Sequence, residues 1–436
     1  MSKKDLMLFV IACIVLSGSL PTAGAESETD LYPIVSATNS GNPLYRPFVV
    51  ADQSVDTISP AVAYNSIFDY YLVVWNNDRP GYDDIYAQLL SADGRLLNNW
   101  HPVAAGTGAE RRNPDVAYNP NWNEFLVVWE QIDEATGRMS IRGQRLDFSG
   151  VPTGNEIPIG TPTTNLGTAN YPHVEHSFTS GKYMVVWQNH TQGNLSNDIL
   201  GELVINDGTL DGSNFIIALG TTGSSMGIPD LAYNRRMNEF LVVWDQLDKN
   251  ASLNDVYARI VRPDKSMPPT TIEIARYTVS STNPTVAALP LAATDGQYLV
   301  AWELQYAAND KDILGRLING DGSLAPSAFD IARSGLDETD PAAAGNEHLG
   351  EYLLTWTRPT APPIVFNGIW SRAFSTTGVQ AGSEKWTGGV LAENSALVSG
   401  AGGEYLVVFD DLTLSANRDI YGRLWGNRYF MPLIRH

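Results

Sequence analysis

One five-residue phrase recurs seven times along this 436-residue chain and constrains the fold more than any other feature. The phrase begins with an aromatic residue, continues with a mostly apolar run, and ends in Trp six times and in Phe once. The copies are Tyr71–Trp75, Phe125–Trp129, Tyr183–Trp187, Phe240–Trp244, Tyr298–Trp302, Tyr352–Trp356 and Tyr405–Phe409. Their last residues are 53 to 58 positions apart, and a period of this size indicates an array of similar structural units.

Companion phrases give each unit four short segments. A phrase such as Pro114–Tyr118 precedes the Trp phrase, a phrase such as Asp84–Ala87 follows it, and a looser fourth one resembles Phe215–Ala218. Short runs rich in β-branched and aromatic residues, separated by turn signals such as Asp93-Gly94, predict strands. Four strands in a unit of this length are typical of a propeller blade. We therefore predict an all-β fold, a seven-bladed β-propeller with four antiparallel strands per blade.

The two ends of the chain predict how the ring closes. The seventh unit reaches its third segment at Asp419–Trp425 with little chain left, whereas Pro47–Ala51 looks like a fourth segment without a unit. We predict that an N-terminal strand at about 46–52 completes the last blade, so that no sheet face is left uncovered. The alternative is a strand at Tyr429–Ile434. The propeller would span 45–428, and 429–436 would be a C-terminal tail.

The first 25 residues predict a secretory signal peptide. Lys3 and Lys4 precede an apolar run over Leu6–Leu20, and Ala23-Gly-Ala25 supplies a small-residue cleavage pattern. The run is shorter than the roughly 20 residues needed to cross a bilayer. Lipidation at Cys13 is the alternative. We expect the protein to be secreted, periplasmic or at the cell surface, with 26–44 as a linker or strap.

Composition and charge limit the partners of the exported chain. The formal net charge of −20 argues against nucleic acid, because phosphate binding needs a basic surface. Cys13 is the only cysteine, so cleavage would leave a chain without disulfides that is stabilised by packing. No second segment is long and apolar enough to be a membrane span, and we expect a monomer.

The repeat phrases resemble those of exported bacterial β-propeller proteins, many of which have no assigned function. The resemblance rests on Tyr405–Phe409, Asp419–Leu424, Asp321-Gly322 and their copies, and it covers about residues 46–425. It implies the propeller fold and implies no activity, because propellers serve in binding, scaffolding and catalysis. The signatures of WD40 repeats and of sialidase-type propellers are missing, so no catalytic residue follows from the resemblance.

The third unit departs most from the others and supplies the candidate metal ligands. His173 and Glu175 replace Asp and Ala of neighbouring units, and His190 follows shortly after Trp187. Strand alternation places His173 and Glu175 on one side of a strand, and antiparallel pairing could bring His190 near them. His173, Glu175 and His190 are therefore the candidates for a metal site, and ordinary surface variation is the alternative.

Several recurring residues have structural interpretations. The Asp before the third segment, such as Asp84, is expected to accept backbone N–H groups, with calcium binding as the alternative; no other cofactor is predicted. The small residue three positions later, such as Ala87, indicates a bulky neighbour, and we expect a repeat Trp. Acidic residues follow the Trp phrase in four units and are expected in solvated loops: Glu130, Asp245, Glu303 and Asp410. Trp122 lies in a polar turn and is expected to be exposed.

Motifs for a nucleophile, a metalloprotease or a phosphate loop are missing, and we assign no catalytic residue. We expect a non-catalytic binding module that recognises an extracellular or cell-surface protein or glycan. The longer loops, between blades and between second and third strands, share one face, which is where we expect the ligand. The alternatives are a polysaccharide-active enzyme with its site at the channel mouth and a structural component of the envelope.

Overall fold

The computed structural model describes residues 47–79, 82–161, 167–190, 196–291, 295–307, 310–360, 366–412 and 417–426. These residues form 29 strands in seven antiparallel sheets and no helix. The innermost strands contact one another in sequence order, and the last one contacts the first. The described part of the chain is thus a closed seven-bladed β-propeller, which confirms the predicted fold.

The strands are numbered along the chain, and each blade contains a first strand near the axis and a fourth strand at the rim. The first strands of blades 1 to 7 are β2 (Asp56–Asn65), β6 (Ala109–Asn119), β10 (Thr168–Ser177), the pair β14 (Ser224–Met226) and β15 (Asp230–Asn234), β19 (Ser281–Leu289), β23 (Thr339–Asn346) and β27 (Ala392–Ser399). The second strands are β3 (Tyr70–Arg79), β7 (Glu124–Asp133), β11 (Lys182–His190), β16 (Glu239–Asp248), β20 (Gln297–Ala307), β24 (Glu351–Pro359) and β28 (Glu404–Asp411).

The third and fourth strands complete each blade. The third strands are β4 (Tyr82–Ser91), β8 (Arg138–Leu146), β12 (Asn197–Ile205), β17 (Leu253–Val261), β21 (Asp310–Asn319), β25 (Asn367–Ser375) and β29 (Asp419–Gly426). The fourth strands are β5 (His101–Ala104), β9 (Pro152–Gly160), β13 (Phe215–Ala218), β18 (Ile272–Ala275), β22 (Phe329–Ala332), β26 (Lys385–Gly388) and, for blade 7, β1 (Phe48–Ala51).

The ring is closed by the N-terminal strand, as predicted. β1 pairs antiparallel with β29, with Phe48 opposite Gly422 and Val49 opposite Tyr421. The alternative strand at Tyr429–Ile434 lies outside the described residues, as do the segments 1–25 and 26–44.

The repeat Trp residues form the core between blades. Trp244 of blade 4, for example, packs in one apolar cluster with Val186 and Leu203 of blade 3. The six Trp side chains that end the repeat phrase are 0 to 1 % exposed. Because sheets stacked face to face bury aromatic side chains on both sides, the phrase recurs wherever two blades meet.

A bulge bends most of the first strands at the position of the Pro phrase. Pro60 is the fifth residue of β2, and the pairing with β3 shifts between Ile58 and Ala61. The residue before it, Ser59, has a φ of 52°, in the left-handed region. Pro within a sheet is usually confined to the start of a strand, to edges or to bulges, and here the bulge tolerates it because the ladder is interrupted at that point. In blade 4 the strand is divided at Gly227 into β14 and β15.

Two recurring residues of the third strand have clear packing roles. A Cβ on Gly143 would lie 2.7 Å from the side chain of Ile159, which belongs to the fourth strand of the same blade. The predicted bulky neighbour is therefore present, but the prediction that it is a Trp was wrong. Asp84 accepts the N–H of Gly106 at 2.9 Å, and Asp198 accepts that of Gly220 at 2.7 Å. These bonds confirm the structural role predicted for this Asp.

Among the residues that the structure describes, no helix is long and apolar enough to span a membrane.

Candidate ligand-binding site

The first strands carry two groups of polar residues that could act on a ligand, and only the first contains residues that the sequence analysis singled out. One is a belt around the axis, formed by residues that follow the Pro of the first strand. In blades 2 to 4 these residues are Asp115, His173 and Asp230, whereas blades 1, 5, 6 and 7 carry Ala or Thr. At this strand position, ionisable side chains therefore occur in three consecutive blades of the described structure.

The belt is centred on His173. Its Nδ1 lies 3.6 Å from Asp115 Oδ2 and 3.6 Å from Asp230 Oδ1. Glu175 lies on the same strand two residues later, and burial, together with the neighbouring Asp115 and Asp230, raises its pKa to about 8. A carboxyl with this pKa is mostly protonated at pH 7.

The two Asp side chains of the belt also connect blades. Asp115 Oδ2 accepts the N–H of Val174 in blade 3 at 2.8 Å. Asp230 Oδ2 accepts the N–H of Val286 in blade 5 at 2.9 Å and the hydroxyl of Thr285 at 2.9 Å. Both carboxylates therefore stabilise the contact with the next blade.

The third candidate metal ligand lies elsewhere on the sheet. His173 is opposite Val186 in the pairing of β10 with β11, whereas His190 is opposite Thr168. His190 is four residues farther along β11, roughly 13 Å at about 3.3 Å per residue. Its Nδ1 is 3.0 Å from Asn197 Oδ1. Within the described ranges, no group of three or more His, Cys, Asp or Glu side chains is arranged to hold a metal.

The acidic residues after the Trp phrase are buried rather than solvated. Glu130, Asp245, Glu303 and Asp410 are at most 8 % exposed. Asp410 accepts the N–H of Ser59 at 3.2 Å, and Glu303 accepts that of Asp340 at 3.0 Å. In each case the donor is the left-handed residue of the bulge in the following blade. We had expected these carboxylates in solvated loops, but they bind the backbone at a kink that would otherwise leave an N–H unpaired.

The second group of polar residues surrounds a cavity. The cavity has a volume of about 560 Å³ and is widely open to solvent. It is lined by Tyr64, Asn346, Glu347, His348, Ser399 and Gly400. These residues lie at or beside the turns between first and second strands in blades 1, 6 and 7.

The face of the propeller that carries these turns is called the hairpin face below. It also carries the turns between third and fourth strands, because those turns end on the same side of each blade. The predicted ligand face, with the loops between blades, is the opposite one. Loop length was thus a poor guide to the position of the described cavity.

The cavity exists because the repeat lacks an aromatic residue there. In blades 1, 2 and 4 the first-strand residue opposite the start of the Trp phrase is Tyr, and Tyr64 packs on Tyr71 across the strands with ring centroids 5.2 Å apart. In blades 6 and 7 the same position is Gly345 and Ser399, opposite Tyr352 and Tyr405. At Ser399, which lines the cavity, no ring fills the space, whereas a Cβ on Gly345 would clash with the backbone oxygen of Ala288 in blade 5.

Charged groups at the cavity are already engaged. Glu347 forms an ion pair with Arg235, which comes from the corresponding turn of blade 4. Tyr64 donates its hydroxyl to Asp69 Oδ1 at 2.9 Å. Burial and then this carboxylate raise the pKa of Tyr64 above its usual value, so the hydroxyl stays protonated. Asn346 holds its own turn by accepting the N–H of Leu349 at 3.0 Å.

Trp122 is 54 % exposed at the turn of blade 2, as predicted. It also lies on the hairpin face, which the sequence analysis did not predict. The signal that could have predicted this position is Asn119, whose side chain accepts the N–H groups of Asn121 and Trp122 in an Asx turn between the first and second strands.

No protein-family model and no curated protein matches the sequence. Among solved structures, an α-L-arabinanase from Penicillium chrysogenum complexed with arabinobiose is similar, at 13 % identity and a TM-score of 0.50. A protein of unknown function from Dyadobacter fermentans is similar at 11 % identity and a TM-score of 0.52. Each match covers 87 % of this chain and 97 % of the other. At these identities the similarity shows the propeller fold alone.

Proposed function

We propose that this protein is a non-catalytic carbohydrate-binding module that takes a neutral sugar into the cavity on the hairpin face. The observation that carries the proposal is the cavity itself, where an aromatic ring and polar groups converge from three blades. Ligand sites are typically concave, with an apolar wall and a few well-placed polar groups. The ring of Tyr64 can cover one face of a sugar, while Ser399 and His348 can bond its hydroxyl groups.

The fold is compatible with a saccharide ligand. The similar Penicillium arabinanase is complexed with arabinobiose. A cavity of about 560 Å³ is within the range of small-molecule sites and large enough for one or two sugar rings.

Binding without catalysis fits the carboxylates at the cavity. Glycoside hydrolysis generally needs two carboxyl groups on either side of the bond that is cleaved. Glu347 is the only Asp or Glu among the lining residues that the structure describes, and it is paired with Arg235. An ion-paired carboxylate is a poor proton donor.

The charge of the chain favours neutral over anionic sugars. The net charge of −20 repels uronic or sialic acid polymers. This selectivity suits an exported protein that meets glycans outside the cell, as the N-terminal signal predicts. The partner we propose is therefore an extracellular glycan.

A direct test is to fill the cavity. Ser399→Tyr restores the residue that blades 1, 2 and 4 carry at this position and should lower affinity for neutral oligosaccharides at least tenfold by calorimetry. Ser213→Tyr, on an exposed loop of blade 3, is the control and should bind like the parent protein. Failure of the parent protein to bind any member of a neutral glycan array, or equal binding by Ser399→Tyr, rules the proposal out.

A second candidate is a polysaccharide-cleaving enzyme that uses the belt. The specific observation is the carboxyl of Glu175, with a pKa of about 8, near Asp115 and Asp230. A protonated acid beside a carboxylate is the pair that hydrolysis requires. The same samples should be assayed for reducing ends: activity that Glu175→Gln abolishes and Ser399→Tyr retains favours the belt over the cavity.

A further inference from the structure

Three exposed aromatic rings occupy the hairpin face next to the cavity. Phe68, Trp122 and Phe178 lie at the turns between first and second strands in blades 1, 2 and 3. Their exposed fractions are 54 %, 54 % and 38 %. We call these three residues the aromatic arc, since consecutive blades place them side by side around the axis.

Each ring of the arc contacts another aromatic or cationic side chain of the protein. Phe68 stacks on Tyr70 at 6.1 Å between centroids, and the guanidinium of Arg145 is 5.4 Å from the ring of Trp122. Phe178 meets Tyr233 edge to face at 5.9 Å. Phe68 also meets Phe148 at 5.6 Å between centroids, and each ring of the arc keeps part of its surface exposed to solvent.

The turns that carry the rings are bonded to one another. Asn65 Nδ2 donates to Asn123 Oδ1 at 2.9 Å, which joins blades 1 and 2. Asn121 Nδ2 donates to the carbonyl of Phe178 at 2.8 Å, which joins blades 2 and 3. Because the turns are fixed relative to each other, a ligand that spans the rings loses little affinity to the ordering of the protein.

The propeller fold does not require these rings. Blade 6 has Leu349 at the position of Phe68 and Trp122, and blade 7 has a turn of small residues, Gly400–Gly403. Both blades keep four paired strands. Exposed aromatic residues that are dispensable for folding are typical of interaction surfaces.

The arc continues directly from the cavity. Phe68 is followed by Asp69, which accepts the hydroxyl of the cavity residue Tyr64. We propose that the aromatic arc extends the cavity into a track for a polysaccharide chain, so that the ligand is an extended neutral polymer and not only a terminal sugar. This inference rests on the proposed function and specifies its ligand.

A polysaccharide fits this surface better than a protein segment does. Amide and hydroxyl groups, including those of Asn121 and Thr179, lie beside the rings, which is the combination that sugars need for stacking and hydrogen bonding. The chain is strongly acidic, so an acidic glycan or peptide would be repelled.

The test compares a short with a long ligand on two Trp variants. Arabinobiose, arabinohexaose, cellobiose and cellohexaose are titrated into the full protein, Trp122→Ala and Trp100→Ala. Trp100 is 43 % exposed and meets Tyr86 edge to face at 5.2 Å, on the outer part of blade 1. The control therefore removes a similar ring away from the arc.

We expect Trp122→Ala to weaken hexasaccharide binding about three- to tenfold, in line with the energy of one aromatic contact, and to leave disaccharide binding unchanged. Trp100→Ala should change neither. Sugar binding that does not increase with chain length, or that Trp122→Ala does not alter, overturns the track while the cavity proposal stands. If no sugar binds and Trp122→Ala abolishes capture of an extracellular protein, both proposals fail.

Discussion

Blades 1–4 and blades 5–7 have the same framework and different hairpin faces. In the first group the first-strand residue opposite the start of the Trp phrase is Tyr64, Tyr118, His176 or Tyr233, and each ring packs on the aromatic residue opposite. In the second group it is Ala288, Gly345 or Ser399. The buried Trp phrase is retained throughout, so the fold tolerates variation at the hairpin face while it preserves the contacts between blades.

The first prediction concerns the framework that both groups share. Trp129→Ala in blade 2 and Trp302→Ala in blade 5 should each lower the free energy of unfolding by about 3–5 kcal/mol, because each empties a fully buried site. Urea titrations of the two variants would measure this. A large loss in one half and a small one in the other would show that the framework is not equivalent around the ring.

The second prediction concerns pH and includes both groups. Burial raises the pKa of Glu175 to about 8, of Glu239 and Glu338 to about 7, and of Asp245 and Asp410 to about 6. In the unfolded chain these groups titrate near pH 4, so the native state binds more protons between pH 4 and 8. The resulting stabilisation is complete below about pH 4 and is lost as the pH rises through these folded pKa values.

The free energy of unfolding should therefore fall by several kcal/mol between pH 5 and pH 8. Thermal unfolding at matched ionic strength would measure it. Asp245→Asn, which keeps the shape and cannot ionise, should have a weaker dependence. A melting temperature that increases with pH over this range contradicts the assignment.

The third prediction makes blade 2 resemble blades 5–7. Tyr118→Ala removes the ring that packs on Phe125 at 5.2 Å and should cost about 1–2 kcal/mol of stability. Tyr306→Ala, at an exposed tyrosine outside this set, should cost less than about 0.5 kcal/mol. Equal effects of the two substitutions would mean that the cross-strand rings do not distinguish the two groups.

The repeat alone predicted the fold because each strand phrase is a local sequence pattern and the set of phrases occurs seven times. The similarity of Phe48–Ala51 to Phe215–Ala218 was enough to predict the closing strand, since both place the same side chains on a rim strand. The position of Asp84 at the end of a loop also predicted its role, because an Asp side chain there accepts hydrogen bonds from the backbone N–H groups of the neighbouring loop.

Contacts between blades could not be derived in the same way. Glu130 accepts the N–H of Tyr171, 41 residues away, and nothing near either residue indicates this bond. The left-handed conformation of Tyr171 is unusual for a bulky residue and was not predictable from its identity. The cavity was missed because Ser399 contributes to it by lacking the aromatic ring that other blades carry, and a repeat pattern indicates only the residues that are retained.

The antiparallel pairing of β1 with β29 has a consequence for biogenesis. β1, the first of the described strands to be synthesised, can pair only after β29, the last described strand, has been made; Asp419 accepts the N–H of Gln53 across 366 positions of sequence. During synthesis the blades made early therefore have one flank uncovered. A nascent chain released before residue 419 would contain the sequence of six blades but would lack β29, the strand that β1 needs to close the ring.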